Sequence, residues 1–374
     1  MNTVRVHRVL FLVVSIVLGA CVGPTAVPGP STTLPAGAPS VPASTPPASS
    51  TPTVSPGAAP RSVRPFERVV ALPVLTDGTF FAVDRDRVAY VATTGELLAV
   101  DVASGVTTRV HAPQQGWHIE LDPHGLRADL VVFIESRTDG QRTDTRVLSA
   151  DLRGTAVTRV QTLDDYSSPF LGSGDTWRPR APVTNGTIIA WVRVDQDRSP
   201  FGIHVVVQFP VQGGPRAIQS GTSPVWIDLD DSGRLAISTL ITAGDRAELV
   251  LWRDGQRTSI GMRGSPGGGP ARFIGDRLFW GIGPGIAAPI ERGQLITVGG
   301  AVQEVAFPGC VWTGATARQL AIGCGTATSG SFTLLDPVSG VRGDAIAATS
   351  GLFAGPRAAV WREGTQWWLG MLAP

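Results

Sequence analysis

Lysine is absent from this chain: all 31 basic side chains are arginine. Schiff-base formation and lysine general-base catalysis are therefore excluded. Cysteine is almost as rare, with 3 residues in 374, too few for a small disulfide-held scaffold. Charged residues make up 16% of the chain, against about 25% in a typical soluble domain. So low a fraction suits strands that are covered on both faces. The net charge of +1 leaves no electrostatic footprint for nucleic acid or an anionic surface. Tyrosine and asparagine number two each, which speaks against a sugar-binding surface. The chain has no Gly-x-Ser-x-Gly elbow, no His-Glu-x-x-His and no phosphate-binding loop. Gly281, Gly283 and Gly285 form a glycine-rich stretch, but no helix start follows to receive phosphate. Nor does an amphipathic helical period occur after residue 66.

What is present is a recurrence. A short apolar run, a turn often holding Asp or Gly, a stronger apolar run, a loop and a third apolar run repeat seven times between Phe66 and Pro374. The strongest runs are Val88–Ala92, Leu130–Ile134, Ile188–Val192, Leu235–Ser238, Leu278–Trp280, Leu320–Ile322 and Ala358–Trp361. Self-similarity at roughly 40–50 residues marks a propeller, whose blades bury their faces by stacking on one another. The predicted fold is all-β, a β-propeller of seven blades; six blades with an additional sheet is the alternative. The last unit ends without a fourth strand, and Glu67–Val74 is expected to supply it. Such an exchange removes an exposed edge and closes the ring.

In the second unit, Trp117–Leu121 reads as the inner strand, Asp122–Gly125 as a turn and Asp129–Glu135 as the second strand. Arg137–Asp144 reads as a polar loop, Thr145–Asp151 as the third strand and Val157–Thr162 as the outer one. The fourth unit repeats this with Val225–Asp228, Leu235–Thr239, Ala247–Trp252 and Arg257–Ile260. Glycine in the connecting turns supplies the positive φ that tight hairpins need. Asp122-Pro-His-Gly125 and Asp230-Asp-Ser-Gly233 resemble the Ser-Pro-Asp-Gly turn of TolB-like (WD40-like) propeller repeats, and the loops Asp139–Arg142 and Gly244–Arg246 resemble that family too. Leu98–Gly105 and Leu334–Gly340 look more like the third-strand turn of quinoprotein-type propellers. The resemblance implies the fold of residues 66–374 and no activity, because such folds host sensors, scaffolds and enzymes alike.

At the N-terminus, Arg5, His7 and Arg8 precede an apolar stretch, Val9–Leu18, too short to span a bilayer comfortably. Leu18-Gly19-Ala20-Cys21 closely resembles the lipobox of bacterial lipoproteins. That resemblance implies a signal peptide over 1–20, acylation of Cys21 and a lipid-anchored position on the extracytoplasmic side of the cell membrane. The alternative is an ordinary secretory signal with an incidental cysteine. Two or more acyl chains hold a protein to a bilayer stably, whereas one does not. From residue 22 to about 63 the chain is almost wholly Pro, Ser, Thr, Ala and Gly, too poor in apolar side chains to offset ordering entropy. Residues 21–65 thus read as a tether and 66–374 as the propeller domain.

Cys310 and Cys324 fall on the first and second strands of the sixth unit. In an exported chain a disulfide is expected, the alternative being two buried thiols. His118, Glu120 and Asp122 alternate along a predicted strand and point to one side. They are candidate metal ligands, against a polar seam between blades. Asp195 and Asp197 could lend oxygens to calcium but lack the further acidic positions of a calcium loop. The longest irregular stretch, Asp164–Arg180, carries Asp164, Asp165, Tyr166, Trp177, Arg178 and Arg180. Blade connections and second-to-third-strand loops share one face of a propeller, so these six form a candidate binding rim. The alternative is that Trp177 packs on its own blade. No catalytic residue and no cofactor is assigned. The sequence favours a membrane-tethered, non-catalytic module binding an envelope protein or small ligand, with no nucleic-acid partner. The second reading is a propeller hydrolase or lyase acting on an extracytoplasmic glycan or peptide.

Overall fold

The computed structural model describes residues 62–373, apart from 73–74, 76–77, 141, 154–159, 170–180, 196–201, 210–211, 224, 242–245, 264–267, 284–288, 326–329 and 350. Alternation explains the architecture. In the strand Arg87–Ala92, Val88, Tyr90 and Ala92 pack toward the last blade, while Ala89 and Val91 pack toward the second. A period of two that is apolar in both phases buries both faces of the sheet. The same holds around the ring. Seven apolar clusters appear among the described residues, each bridging two successive blades.

The strands form seven antiparallel sheets in chain order, as expected. Blade 1 comprises Gly78–Asp84, Arg87–Ala92, Leu97–Asp101 and Val106–His111. Blade 2 has a first strand in two pieces, His118–Glu120 and Leu126–Arg127, followed by Leu130–Asp139, Arg142–Asp151 and Val160–Pro169. Blades 3 to 7 start at Val183–Thr184, Val225–Leu229, Gly268–Ile274, Cys310–Ala315 and Leu352–Ala354. Each first strand contacts the first strand of the next blade, and that of blade 7 contacts that of blade 1. The first strands therefore line the axis, and the circle is closed.

The closing strand is the expected one. Arg68–Leu72 pairs antiparallel with Gln366–Met371, from Arg68↔Met371 to Leu72↔Trp367. Packing begins a little earlier than residue 66: Val63 is buried, and Arg64 pairs with Asp344 at 3.0 Å. The ring of Phe66 stacks on Trp361 at 5.4 Å between centroids. In blade 6 three strands are found, and Gly343 N–H to Leu334 O (2.8 Å) with the Phe332–Ile346 bridge stands in for the outer strand. Cys310 lies directly opposite Cys324 and is joined to it by a disulfide, with the Cα atoms 4.2 Å apart.

Blade 2 departs from the sequence reading in three places. Arg137–Asp144 is not a loop, because the second and third strands stay paired out to Asp139↔Arg142. Asp164–Pro169 is not irregular either: past a bulge at Thr162/Asp164, the outer strand continues from Asp164↔Val147 to Pro169↔Arg142. Both segments extend beyond the apolar core, and polar ladders such as Arg137–Asp144 (2.8 Å) and Ser167–Asp144 (2.5 Å) replace hydrophobic contact there. Finally, the turn between the first two strands lies at Ala128–Asp129, where Ala128 has φ 51°. Asp122–Gly125 does something else.

Candidate functional site

Glu120 pairs with Ile134, and Leu126 pairs with Val131 on the same strand. The five residues between them, Leu121–Gly125, leave the sheet and enter the axis of the ring. Pro123 lacks the N–H needed to continue a ladder. Asp122 then sets the excursion: its Oδ1 accepts from His124 N at 2.9 Å, and its carbonyl accepts from Gly125 N at 2.8 Å. This is local turn chemistry of the kind Asp supplies.

The excursion meets every other blade. Pro123 O accepts from Val83 N of blade 1 (3.2 Å), and His124 O accepts from Thr184 N of blade 3 (3.1 Å). His124 Nδ1 stands 2.8 Å from Asp228 Oδ1 of blade 4, and its Nε2 is 3.0 Å from Ala315 O of blade 6. Arg272 of blade 5 donates from Nη2 to Asp122 Oδ2 at 2.9 Å. On blade 7, Gly355 leaves room for the plug, since a Cβ there would lie 2.8 Å from Pro123 O.

Charge is matched within this plug. Asp228 is fully buried and accepts from Arg272 Nη1 (3.0 Å) and Phe273 N (2.7 Å). Burial pushes its carboxyl up, but His124, Arg272 and the Phe273 amide outweigh that and hold it below the usual carboxylate range. Burial likewise lowers the Arg272 guanidinium, and the two carboxylates more than reverse the effect. A second ion set lies toward the first-to-second-strand turns. Arg127, itself buried, reaches Asp84 of blade 1 (3.2 Å) and Asp231 of blade 4, and Arg357 of blade 7 reaches Asp231 (3.3 Å).

The plug divides the axis into two cups. On the side of the blade connections, a cavity of about 180 Å³ is lined by Trp226, Pro270, Ile290 and Trp312, with Asp122 and Arg272 also in its wall. On the opposite side a cavity of about 310 Å³ is lined by Asp230, Asp231, Arg234, Phe273 and Asp276, with His124 and Asp228 in its wall. Within the plug the Asp228 carboxylate is paired with Arg272, and the buried His124 ring sits between Asp228 Oδ1 and Ala315 O. These contacts tie the blades together at the axis.

The residues singled out from sequence are dispersed. His118 is exposed and Glu120 half-buried, and Asp122 leaves their row to pair with Arg272. Among the described residues no three of His, Cys, Asp and Glu gather as a metal site. Asp195 pairs with Arg193 at 2.9 Å, and Asp197 lies outside the described residues. Asp164 accepts from Trp191 Nε1 (2.9 Å) and Arg193 Nη1 (3.1 Å) of blade 3. Tyr166 is buried, and its hydroxyl donates to Val192 O at 3.1 Å. Burial, and then Asp164, push that phenol up. Both residues thereby join blade 2 to blade 3, whereas Asp165 faces solvent, 3.5 Å from Arg146. Trp177, Arg178, Arg180 and Cys21 lie outside the described residues. The axis groups Asp84, His124, Arg127, Asp228 and Arg272 were not singled out as a site in the sequence. The turn signal Asp122–Gly125 is the trace the plug leaves there.

No family model matches the chain, and no curated protein matches it. Among solved structures, the β-propeller domain of the trilobed protease from Pyrococcus furiosus is similar, with a TM-score of 0.50 and 11% identity over 80% of this chain and 97% of that one. TolB from Acinetobacter baumannii scores 0.42 at 13% identity, covering 79% of this chain and 78% of its own. An oligogalacturonate lyase in complex with manganese scores 0.44 at 10% identity, covering 79% and 76%. At 11% identity the likeness to the trilobed-protease propeller supports the fold alone and assigns no activity.

Proposed function

We propose that this chain is an extracytoplasmic lipoprotein, held to the cell membrane through acylated Cys21, whose propeller is a non-catalytic module binding an envelope protein or a small ligand. The observation that carries the reading is the plug. The first strands of all seven blades line the axis, where a ring of this kind could assemble acid–base groups from distant segments. Here Asp122, His124, Asp228 and Arg272 are committed to one another across the blades. The surface left for recognition is a face. The face of the blade connections carries the cup with Trp226 and Trp312 and the solvent-facing Asp165. The chain enters the ring on the opposite face, since Arg68 pairs with Met371 beside Ala358 at the first turn of blade 7.

The test is affinity capture from detergent-solubilised membranes. Deleting Asp164–Arg180 is unsuitable, because residues 164–169 belong to the outer strand of blade 2. The triple variant Trp177→Ala, Arg178→Ala, Arg180→Ala keeps that strand. A partner held by the wild type and lost by this variant, at unchanged melting temperature, is the expected result. The same partners on both proteins would remove these three residues from the binding face.

A further inference from the structure

Away from the axis, blade 3 carries a constellation that the binding reading does not use. Asp195 ends the strand Ile189–Asp195, His204 lies on Gly202–Phe209 and Ser220 on the outer strand Gln212–Gly221. Antiparallel register sets His204 directly opposite Ser220, with Ser220 Oγ 2.7 Å from His204 Nδ1. On the other side of the ring, Nε2 lies 3.1 Å from Asp195 Oδ2, off-line for a hydrogen bond. Contacts of this kind are often misaligned in catalytic sites before substrate binds. Arg193 Nε holds Asp195 at 2.9 Å, so the carboxylate is fixed in its turn.

Two glycines make the arrangement possible and accessible. A Cβ at Gly202 would come within 2.8 Å of His204 Nε2, so only glycine leaves space for the ring beside Asp195. A Cβ at Gly221 would meet nothing within 4 Å, and Ser220 is itself exposed, so among the described residues the approach to Oγ is open.

We propose that Ser220 is a nucleophile toward activated acyl groups, with His204 as its base and Asp195 supporting the imidazolium that forms. The ring is used with serine on Nδ1 and carboxylate on Nε2. The chemistry requires only that one nitrogen accepts a proton while the other carries one. With an ester, the Ser220 hydroxyl proton passes to Nδ1 as Oγ bonds to the carbonyl carbon. Collapse of the adduct breaks the ester C–O bond, and the Nδ1 proton leaves with the alkoxide. Water then gives a proton to Nδ1 and attacks the acyl-serine, releasing the acid and restoring the hydroxyl. Among the described residues the Ser220 hydroxyl stands on an uncovered sheet face, which suits an ester carried on the surface of a larger molecule. This inference does not rest on the binding reading: the plug concerns the axis alone, and a reactive Ser220 on blade 3 would replace the non-catalytic clause of that reading while leaving the connection face as its recognition surface.

The experiment treats the full chain with a fluorophosphonate probe, which Oγ would attack at phosphorus with loss of fluoride, and locates the adduct by peptide mass. The expected result is one adduct on Ser220, none on Ser220→Ala, and labelling of His204→Gln slowed by roughly 100-fold or more, the usual range for loss of a general base. Melting temperatures of the variants, compared with wild type, separate loss of reactivity from loss of fold. An unlabelled wild type, an adduct on another serine, or labelling of folded His204→Gln at the wild-type rate would each overturn the proposal.

Discussion

Replacing Arg272 by Met keeps much of the side-chain volume and removes the cation that Asp122 and Asp228 share. Asp228 is left fully buried with His124 and one backbone N–H. Removing one partner of a buried pair costs about 3–5 kcal/mol. The unfolding entropy is about 2.1 cal/mol/K per residue, so a domain of roughly 310 residues loses about 1 °C of melting temperature per 0.65 kcal/mol. Calorimetry should therefore show Arg272→Met melting about 5–8 °C below wild type. Adding Asp228→Asn should recover part of the loss, with a coupling of about 1 kcal/mol or more. The pH dependence has a defined sign. The folded Asp228 carboxyl is depressed, so its contribution is complete above the ordinary value of about 3.9 and is lost as pH falls through the depressed one. Wild type and Asp228→Asn should accordingly converge in stability at acid pH. A melting temperature for Arg272→Met within about 1 °C of wild type, or strictly additive effects in the cycle, would refute the tie between blades.

Other expectations follow from the closure and the anchor. The Cys310–Cys324 bridge spans a sequence separation of 14, and a double Ser variant should lose about 2–3 kcal/mol in denaturant unfolding; no change would show that the bridge constrains little. Removing residues up to Leu72 strips Val63, Phe66 and Val69 from the cluster between blades 6 and 7 and exposes the edge of Gln366–Met371. That truncation should aggregate or melt far below the full domain, and unchanged melting would argue against closure by this strand. Cys21→Ala should abolish incorporation of labelled palmitate and release the chain from the membrane fraction; retention of both would contradict the lipid anchor.

Much of the ring was legible because its physics is local. Val88–Ala92 and Leu130–Ile134 are apolar in both phases of the strand period, which only a sheet covered on both sides tolerates. The closing strand showed itself as an extra apolar run at the start facing a missing one at the end. Cys310 and Cys324 could be paired because the repeat put them on neighbouring strands. The plug was not legible. Asp122-Pro-His-Gly125 carries ordinary turn chemistry, and the residues that make it something else, Asp228 and Arg272, stand more than a hundred positions away with no period linking them. The polar extension of blade 2 was hidden for the opposite reason. Asp144, Ser167 and Arg137 sustain strands by cross-strand hydrogen bonds where no apolar pattern marks them.

The central functional claim, recognition on the connection face, is tested most directly by site-specific photo-crosslinking of the full chain in its native envelope. A photoreactive residue would replace Asp139 or Asp165 on that face, or Asp254 or Asp276, which are 89% and 81% exposed in turns of the opposite face. The account predicts discrete adducts from positions 139 and 165 and none from 254 and 276. Adducts confined to the opposite face would contradict it.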